Sequence, residues 1–406
     1  MGSLNKMEKI GNVAEFKRGP FGSSIKKAVC VSKGPNTFKL YEQGNVINND
    51  FERDKYYLTK EKFNELNHFE IKTGDLLLTC AGTLGKIAIV PENIQRGIIN
   101  SVLMRIRINE NRVMRNYLYY YFQSPKIQND ITKQSAGVAI KNLFSTKLLK
   151  EYTLYLPDKD EQQLIVEEIE KQLTRLDASV KMFKEVKKKI EVYRKSVLKD
   201  LFNINCKYSI IGKVFKTTSG GTPSRSNKLF YQGSIPWLKS GELNDNMQIL
   251  DSKEHVTSDA LNKSSAKKFP TNTVLIAMYG ATTGKLGIIR NECSTNQAIC
   301  GIIPSENYMP KFIFYYLLFK RQYLINQSKG GAQPNISQGV IKSTLFPMIN
   351  KEEQEQIVQG IESQFSVIDK LEETVDNSLK KTEQLKKSIL KNAFEGKLVK
   401  GDNNVS

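Results

Sequence analysis

The sequence predicts an α+β chain in which two pseudo-symmetric α/β globular blocks are separated by two long helices forming an antiparallel coiled coil. Three observations carry that expectation. Residues 158–202 and 350–394 align without a gap, with about 17 of 45 positions identical, far above chance for an ungapped pair. Within each copy the apolar residues recur at alternating steps of four and three, the a/d seam of a coiled coil. Each copy also follows a β-rich stretch of about 150 residues, and the two stretches repeat the same order of phrases. The boundaries read from these shifts are 1–157, 158–204, 205–349 and 350–397, with a polar tail at 398–406.

The elements follow in order. Both blocks open on a phrase that reads as a short strand, Ile10-Gly11-Asn12-Val13 and Ile211-Gly212-Lys213-Val214. Each then enters a Gly/Ser-rich loop, GPFGSSIKK at 19–27 and SGGTPSRSNK at 219–228, and the second block continues with IPWLKSG at 235–241. A hairpin is expected next in each, GDLLLTCAGTLGKIAIV at 74–90 and NTVLIAMYGATTGKLGII at 272–289. Its strands are β-branched and apolar, and its turn holds glycines able to take positive φ. A strand with an asparagine follows (Asn100; Asn296), then an aromatic helix, NYLYYYFQ at 116–123 and KFIFYYLLF at 311–319. At helical spacing Tyr117, Tyr120, Tyr121, Phe312, Tyr315 and Tyr316 are read as core. A second Gly-rich loop closes each block, SAGVAIKN at 135–142 and KGGAQPNIS at 329–337.

Each long helix begins with a capping box, Asp158 with Glu161 and Asn350 with Glu353. The first seam runs Ile165, Ile169, Leu173, Leu176, Val180, Phe183, Ile190, Val197, and the second Ile361, Phe365, Ile368, Val375, Leu379, Ile389. Polar residues interrupt it at Lys187, Arg194, Glu372 and Lys386, where packing is looser or register is set. A helix of about 44 residues spans roughly 65 Å. Two pairings are open: the two helices with each other, or helices of two chains, so that isolated chains self-associate.

The net charge of +19 is uneven. Residues 1–158 hold 24 Lys/Arg against 15 Asp/Glu and residues 203–349 hold 17 against 7, while the two helices are nearly neutral. Two basic blocks joined by neutral spacers point to a polyanion gripped in two places, nucleic acid above all. Other classes fall away. No apolar run reaches membrane-spanning length. The opening MGSLNKMEKIGNV lacks a signal core, so a cytoplasmic protein is expected. The five scattered cysteines read as reduced thiols, and with two histidines no zinc site is expected. GATTGK at 280–285 is not a phosphate-binding loop, since it has three residues between its glycines and Leu286 after the lysine.

Together these phrases resemble the specificity subunit of type I restriction-modification systems over essentially the whole chain. The resemblance rests on the duplicated order of block and helix, the GTLGK and GATTGK hairpins, IPWLKSGEL, the GGAQPNIS loop and the EEQEQIV…KKSILKNAFEGKL helix. The first block departs from it, with no IPW phrase and no QPNIS. The resemblance implies that each block is a target recognition domain reading one half of a split site on double-stranded DNA. It also implies that the helices set the unread spacer and dock two methyltransferase subunits, with restriction/translocase subunits joining the full complex. The chain would then bring no catalysis and no cofactor, S-adenosylmethionine and ATP belonging to partners. The sequence agrees in lacking a methylation motif of the Asn/Asp-Pro-Pro-aromatic type.

Loops on a rigid scaffold are where recognition residues belong, with Arg and Lys suited to guanine and Asn and Gln to adenine. The candidates in the first block are Lys17, Arg18, Ser23, Ser24, Lys26, Thr83, Lys86 and Lys141; in the second they are Thr222, Ser224, Arg225, Trp237, Lys239, Thr282, Lys285, Gln333 and Asn335. For Trp237 a core role competes with an interface role. Two rival functions stand beside this one. A coiled-coil adaptor with basic protein-binding blocks predicts binding insensitive to salt. A self-contained DNA-modifying enzyme predicts activity from the isolated chain.

Overall fold

The structure, a computed structural model, describes residues 7–21, 24–135, 146–327 and 335–398. The chain divides into two compact units, Met1–Phe183 with Asn377–Ser406, and Lys184–Asp376. Among the described residues no helix is long and apolar enough to cross a membrane, and the five cysteines are unpaired.

In unit 1 the expected hairpin is present as Leu76–Thr79 paired antiparallel with Ile87–Ile89. It joins Leu103–Ile108 and Ala14–Arg18 in a four-stranded antiparallel sheet. A smaller sheet places Phe38–Tyr41 between Tyr57–Leu58, antiparallel, and Gly97–Ile99, parallel. Met7–Lys9 pairs with Thr153–Tyr155, so the block's first and last strands lie side by side.

Unit 2 repeats this plan. The hairpin Val274–Ala277 with Leu286–Ile289 lies beside Ile299–Ile302 and Thr217–Ser219, and Asn246–Ile249 adds a fifth, parallel strand. Ile235–Leu238 runs antiparallel to His255–Val256 and parallel to Cys293–Thr295, with Lys268–Phe269 at the edge. Lys207–Ile210 pairs with Leu345–Met348. Gly85 and Gly284 take φ of 75° and 80° in the two hairpin turns, the left-handed region that glycine enters without strain.

One expectation is corrected. The opening phrases are not strands: Ile10–Asn12 is a 3-10 turn and Ile211–Val214 a short helix. The reason is visible in the spacing, since Ile10 and Val13, three apart, are both fully buried, which a helical turn achieves and an alternating strand does not.

The aromatic helices, Arg115–Gln123 and Pro310–Asn326, are core as expected. Tyr117, Tyr121, Phe312, Tyr315 and Tyr316 are buried, with Tyr120 partly so. Around Phe346 the rings of Phe215, Tyr308, Phe312 and Tyr316 stand edge-on with centroids 5.0–5.8 Å away, an arrangement favoured by ring quadrupoles.

The long helices are Lys159–Leu201 and Lys351–Phe394. In unit 1, Ile165 and Ile169 are buried with Ile389, Leu390 and Ala393. In unit 2, Leu198 shares a core with Val358 and Ile361. The polar breaks in the seam are cross-helix ion pairs. Lys187 meets Asp376 at 2.7 Å, and Arg194 meets Asp369 and Glu372 within unit 2; Lys386 meets Asp177 at 2.6 Å within unit 1. From Lys187–Asp376 to Arg194–Asp369 one helix advances seven residues as the other retreats seven, so the helices run antiparallel, as expected.

Two glutamines that sequence reading passed over hold the helices to the blocks. Gln162 and Gln354, at matching places in the repeat, are fully buried. Gln354 donates to Asn307 O and Ile349 O and accepts from Met309 N, at the entry to the aromatic helix. Gln162 does the same with Arg112 O, Pro157 O and Met114 N.

Candidate nucleic-acid interface

In each unit the Gly/Ser-rich loop and the asparagine turn are fastened by a matching set of bonds, while most of each later Gly-rich loop, at 135–142 and 329–337, lies outside the described residues. Asn100 and Asn296 cap the turn after a short strand, each Oδ1 accepting from the amide two residues on, Val102 and Ala298. Each backbone N–H binds the end of the neighbouring strand, at Tyr41 O and Leu238 O. The Gly/Ser-rich loops pass directly over these turns. A Cβ at Gly19 would lie 1.9 Å from Asn100 O, and one at Gly220 would lie 2.2 Å from Thr295 O. Only glycine fits there.

This register locates the missing counterpart of IPWLKSGEL. It is Phe38–Val46, with Tyr41-Glu42-Gln43-Gly44-Asn45 lying where Leu238-Lys239-Ser240-Gly241-Glu242 lies in the other unit. Both stretches leave their strand, cap a short helix, and close with a side chain bonded to the cap amide, Asn45 on Glu42 and Glu242 on Lys239. The first block therefore does have the element, in different letters. The shared signal was a glycine followed at once by a capping side chain.

In unit 2 the contacts form one chain across the surface. Thr222 donates to Gln297, Arg225 and Lys239 both bind Glu254, and Thr282 donates to Ser240 O. Ser224 is exposed and bonds Ser226. Asn335 is exposed beside Ile336, whose amide is held by Met278 O at the hairpin. Trp237 is corrected: its ring is 2% exposed and its indole N–H donates to Gly221 O, so it supports the surface from below and presents no face of its own. Lys285 is also spoken for. With Arg321 it binds Asp245, whose carboxyl also accepts from Leu286 N. Burial acts to raise the Asp245 pKa, but Lys285, Arg321 and that amide outweigh it and hold the group below its ordinary value.

In unit 1, Arg18 donates to Ser101 O and Gln43 donates to Ala81 O and Thr83 O, fastening the hairpin turn. Thr83, Lys86 and Lys26 are exposed and Ser24 is half-buried. Lys86 has no carboxylate partner among the described residues, unlike its counterpart Lys285. Lys17 is set apart: adjacent strand residues face opposite ways, and its ammonium lies 5.5 Å from the Phe69 ring. Ser23, Lys141 and Gln333 fall outside the described residues. Beside the Asn100 turn opens a polar cavity of about 310 Å³ lined by Glu42, Gln43, Asn45, Arg53 and Lys55, none of them foreseen. The arrangement offers each unit a rim of donors and cations on short, cross-braced loops, suited to base edges and phosphates.

The family profile described as "Type I restriction modification DNA specificity domain" matches residues 4–192 and 195–381. The chain is 24% identical over 332 residues to the type I restriction enzyme EcoBI specificity subunit of Escherichia coli, spanning 74% of this chain and 69% of that one. It is 25% identical over 292 residues to the EcoR124I/EcoR124II specificity subunit of the same organism, spanning 69% and 68%. Among solved structures, a chain from work on complex assembly and conformational transition of the type I R-M system superposes with a TM-score of 0.74 at 17% identity, covering 96% of this chain and 97% of the other. The HsdS subunit from Thermoanaerobacter tengcongensis superposes with a TM-score of 0.57 at 16% identity, covering 96% of each.

Proposed function

The chain belongs to the type I restriction-modification DNA specificity family, and from that premise we propose that it reads an asymmetric, two-part site on double-stranded DNA, one half with each globular block. Recognition of DNA sequence is its role. The observation that carries the two-part reading is the repeated plan with different letters: the same loops meet in both units, but Glu42, Gln43 and Asn45 stand where the other has Lys239, Ser240 and Glu242. Like scaffolds with unlike rims read unlike half-sites. In this reading residues 1–157 and 205–349 are the recognition domains, the long helices set the unread gap, and the chain works in the cytoplasm.

Methylation and cleavage belong to partner subunits in this reading. Two methyltransferase subunits dock on the helices, which carry exposed apolar side chains at Val192, Val367 and Leu371, and a groove of about 1170 Å³ floored by Leu318, Phe319 and Phe365 adjoins them in unit 2.

The test is to co-express the chain with its cognate methyltransferase subunit in an unmodified host and map modified bases genome-wide. A split motif with a fixed gap is the expected result. A purified complex that modifies nothing overturns the reading and brings the adaptor forward.

The two hairpin lysines are expected to separate in the same complex. Lys86→Ala should lower the slope of log affinity against log salt by about 1, the signature of one lost phosphate contact. Lys285→Ala should leave that slope unchanged, because its ammonium is already committed to Asp245. A slope lowered by about 1 in both variants would show that the Asp245 pair opens on DNA, and an unchanged slope in both would remove Lys86 from the phosphate contacts.

A further inference from the structure

We propose that Arg225 is the specificity residue for a G·C pair in the half-site read by unit 2, with Glu254 as its positioning residue. The inference rests on the recognition role above and assigns one base to it.

The geometry is that of an arginine fixed before its ligand arrives. The Arg225 guanidinium lies 4.2 Å from the Tyr231 ring centroid and 4.8 Å from that of Trp237. Those rings meet edge-on, 5.7 Å apart. Each is tied to the loop that carries the arginine, Trp237 through Gly221 O and Tyr231 through Pro223 O at 2.7 Å. Glu254 takes Arg225 Nη1 at 2.6 Å with one oxygen and Lys239 with the other. The arginine nevertheless stays half exposed.

A fixed guanidinium fork can take a phosphate as well as a base edge, so the neighbouring groups decide between them. Here the charge is offset by a carboxylate that would itself repel phosphate, and what remains outward is a planar set of N–H donors in a fixed orientation. That is the equipment for the paired acceptors O6 and N7 of guanine. Glu254 restrains the fork, and its other cation, Lys239, keeps the cluster net positive. Lys239, and after it Arg225, hold the Glu254 carboxyl below its ordinary pKa, so it is charged at neutral pH.

The experiment uses the complex with the methyltransferase subunit and the two-part site it modifies. Each guanine of the half-site assigned to unit 2 is replaced in turn by 7-deazaguanine, which removes the N7 acceptor and leaves base pairing intact. At one position the unaltered complex should lose affinity about tenfold. The Arg225→Ala complex should be weaker on the natural site by at least that factor and indifferent to the same replacement. Arg225→Lys should relax that position alone, and Glu254→Gln should do so more mildly. Replacements in the other half-site, which should affect all complexes alike, report that the variants are folded. Equal responses of the unaltered and Arg225→Ala complexes at every guanine, or a half-site without guanine, overturn the assignment and leave the two-part reading standing. A complex that modifies no two-part site overturns both.

Discussion

Replacing Gln354 by methionine is expected to destabilise unit 2 by about 3 kcal/mol. Methionine matches the length of the side chain but makes none of its bonds. Ile349 O, which is buried, and Asn307 O and Met309 N, which are partly buried, lose their side-chain partner together. The buried orphan alone costs about 1–3 kcal/mol, and the partly buried pair add less because water reaches them. At Ile349 O little offsets this, because the glutamine side chain that reaches it is fully buried. The measurement is chemical denaturation of the full chain followed by probes in each unit, since a chain of two units need not unfold in one step. The unit 2 transition should move and the unit 1 transition should not. Gln162→Met should give the mirror result. A cost below about 1 kcal/mol at both positions would mean that the glutamines fill space without holding the helix to its block.

Gly220→Ala is expected to cost about 3 kcal/mol and to abolish discrimination in one half-site. The added methyl would stand 2.1 Å from Thr295 Oγ1 and 2.2 Å from Thr295 O. One is a buried strand side chain and the other is backbone, so neither can swing aside, and overpacking of this kind costs about 1–3 kcal/mol. The cheaper relief is for the loop to lift, carrying Thr222, Ser224 and Arg225 away from Gln297 and Glu254. Modification mapping of the variant complex should then show the unit 2 half-site relaxed and the other half intact. Gly19→Ala should exchange the two outcomes, through Asn100 O at 1.9 Å. A variant that keeps both halves at full stringency would show that the loop position is immaterial to reading.

The parts of the fold that were legible from sequence are those with a period. The heptads, the capping boxes and the apolar hairpins each repeat a local rule, and the duplication states each of them twice. The opening turns were misread because four residues are too few to separate an alternating phrase from an i, i+3 pair. The first block's Phe38–Val46 element went unseen because its equivalence lies in hydrogen bonds, and Glu42 shares no chemistry with Lys239. Site residues divided in the same way. Glycine loops and exposed cations could be named from composition, but nothing in the letters says that Lys285 would be claimed by Asp245, or that Trp237 would lie beneath Arg225. Glu254 and Gln43 are 29 and 40 residues from the groups they hold, a distance at which only the tertiary fold brings them together.

The division of the chain into its two units also has a bearing on how it is made. Unit 2 is one unbroken stretch, Lys184–Asp376, while unit 1 needs Asn377–Ser406 to join residues that left the ribosome far earlier. Domains usually mature in the order in which they are synthesised. Here the order inverts: the first block is started first and completed last. Until Ile389, Leu390 and Ala393 emerge, the stripe of Ile165 and Ile169 has no partner from the last helix. The nascent chain therefore carries an apolar seam covered by the first block but not by the last helix throughout the translation of its second half, which is when chaperone capture or premature pairing with another copy would compete with completion.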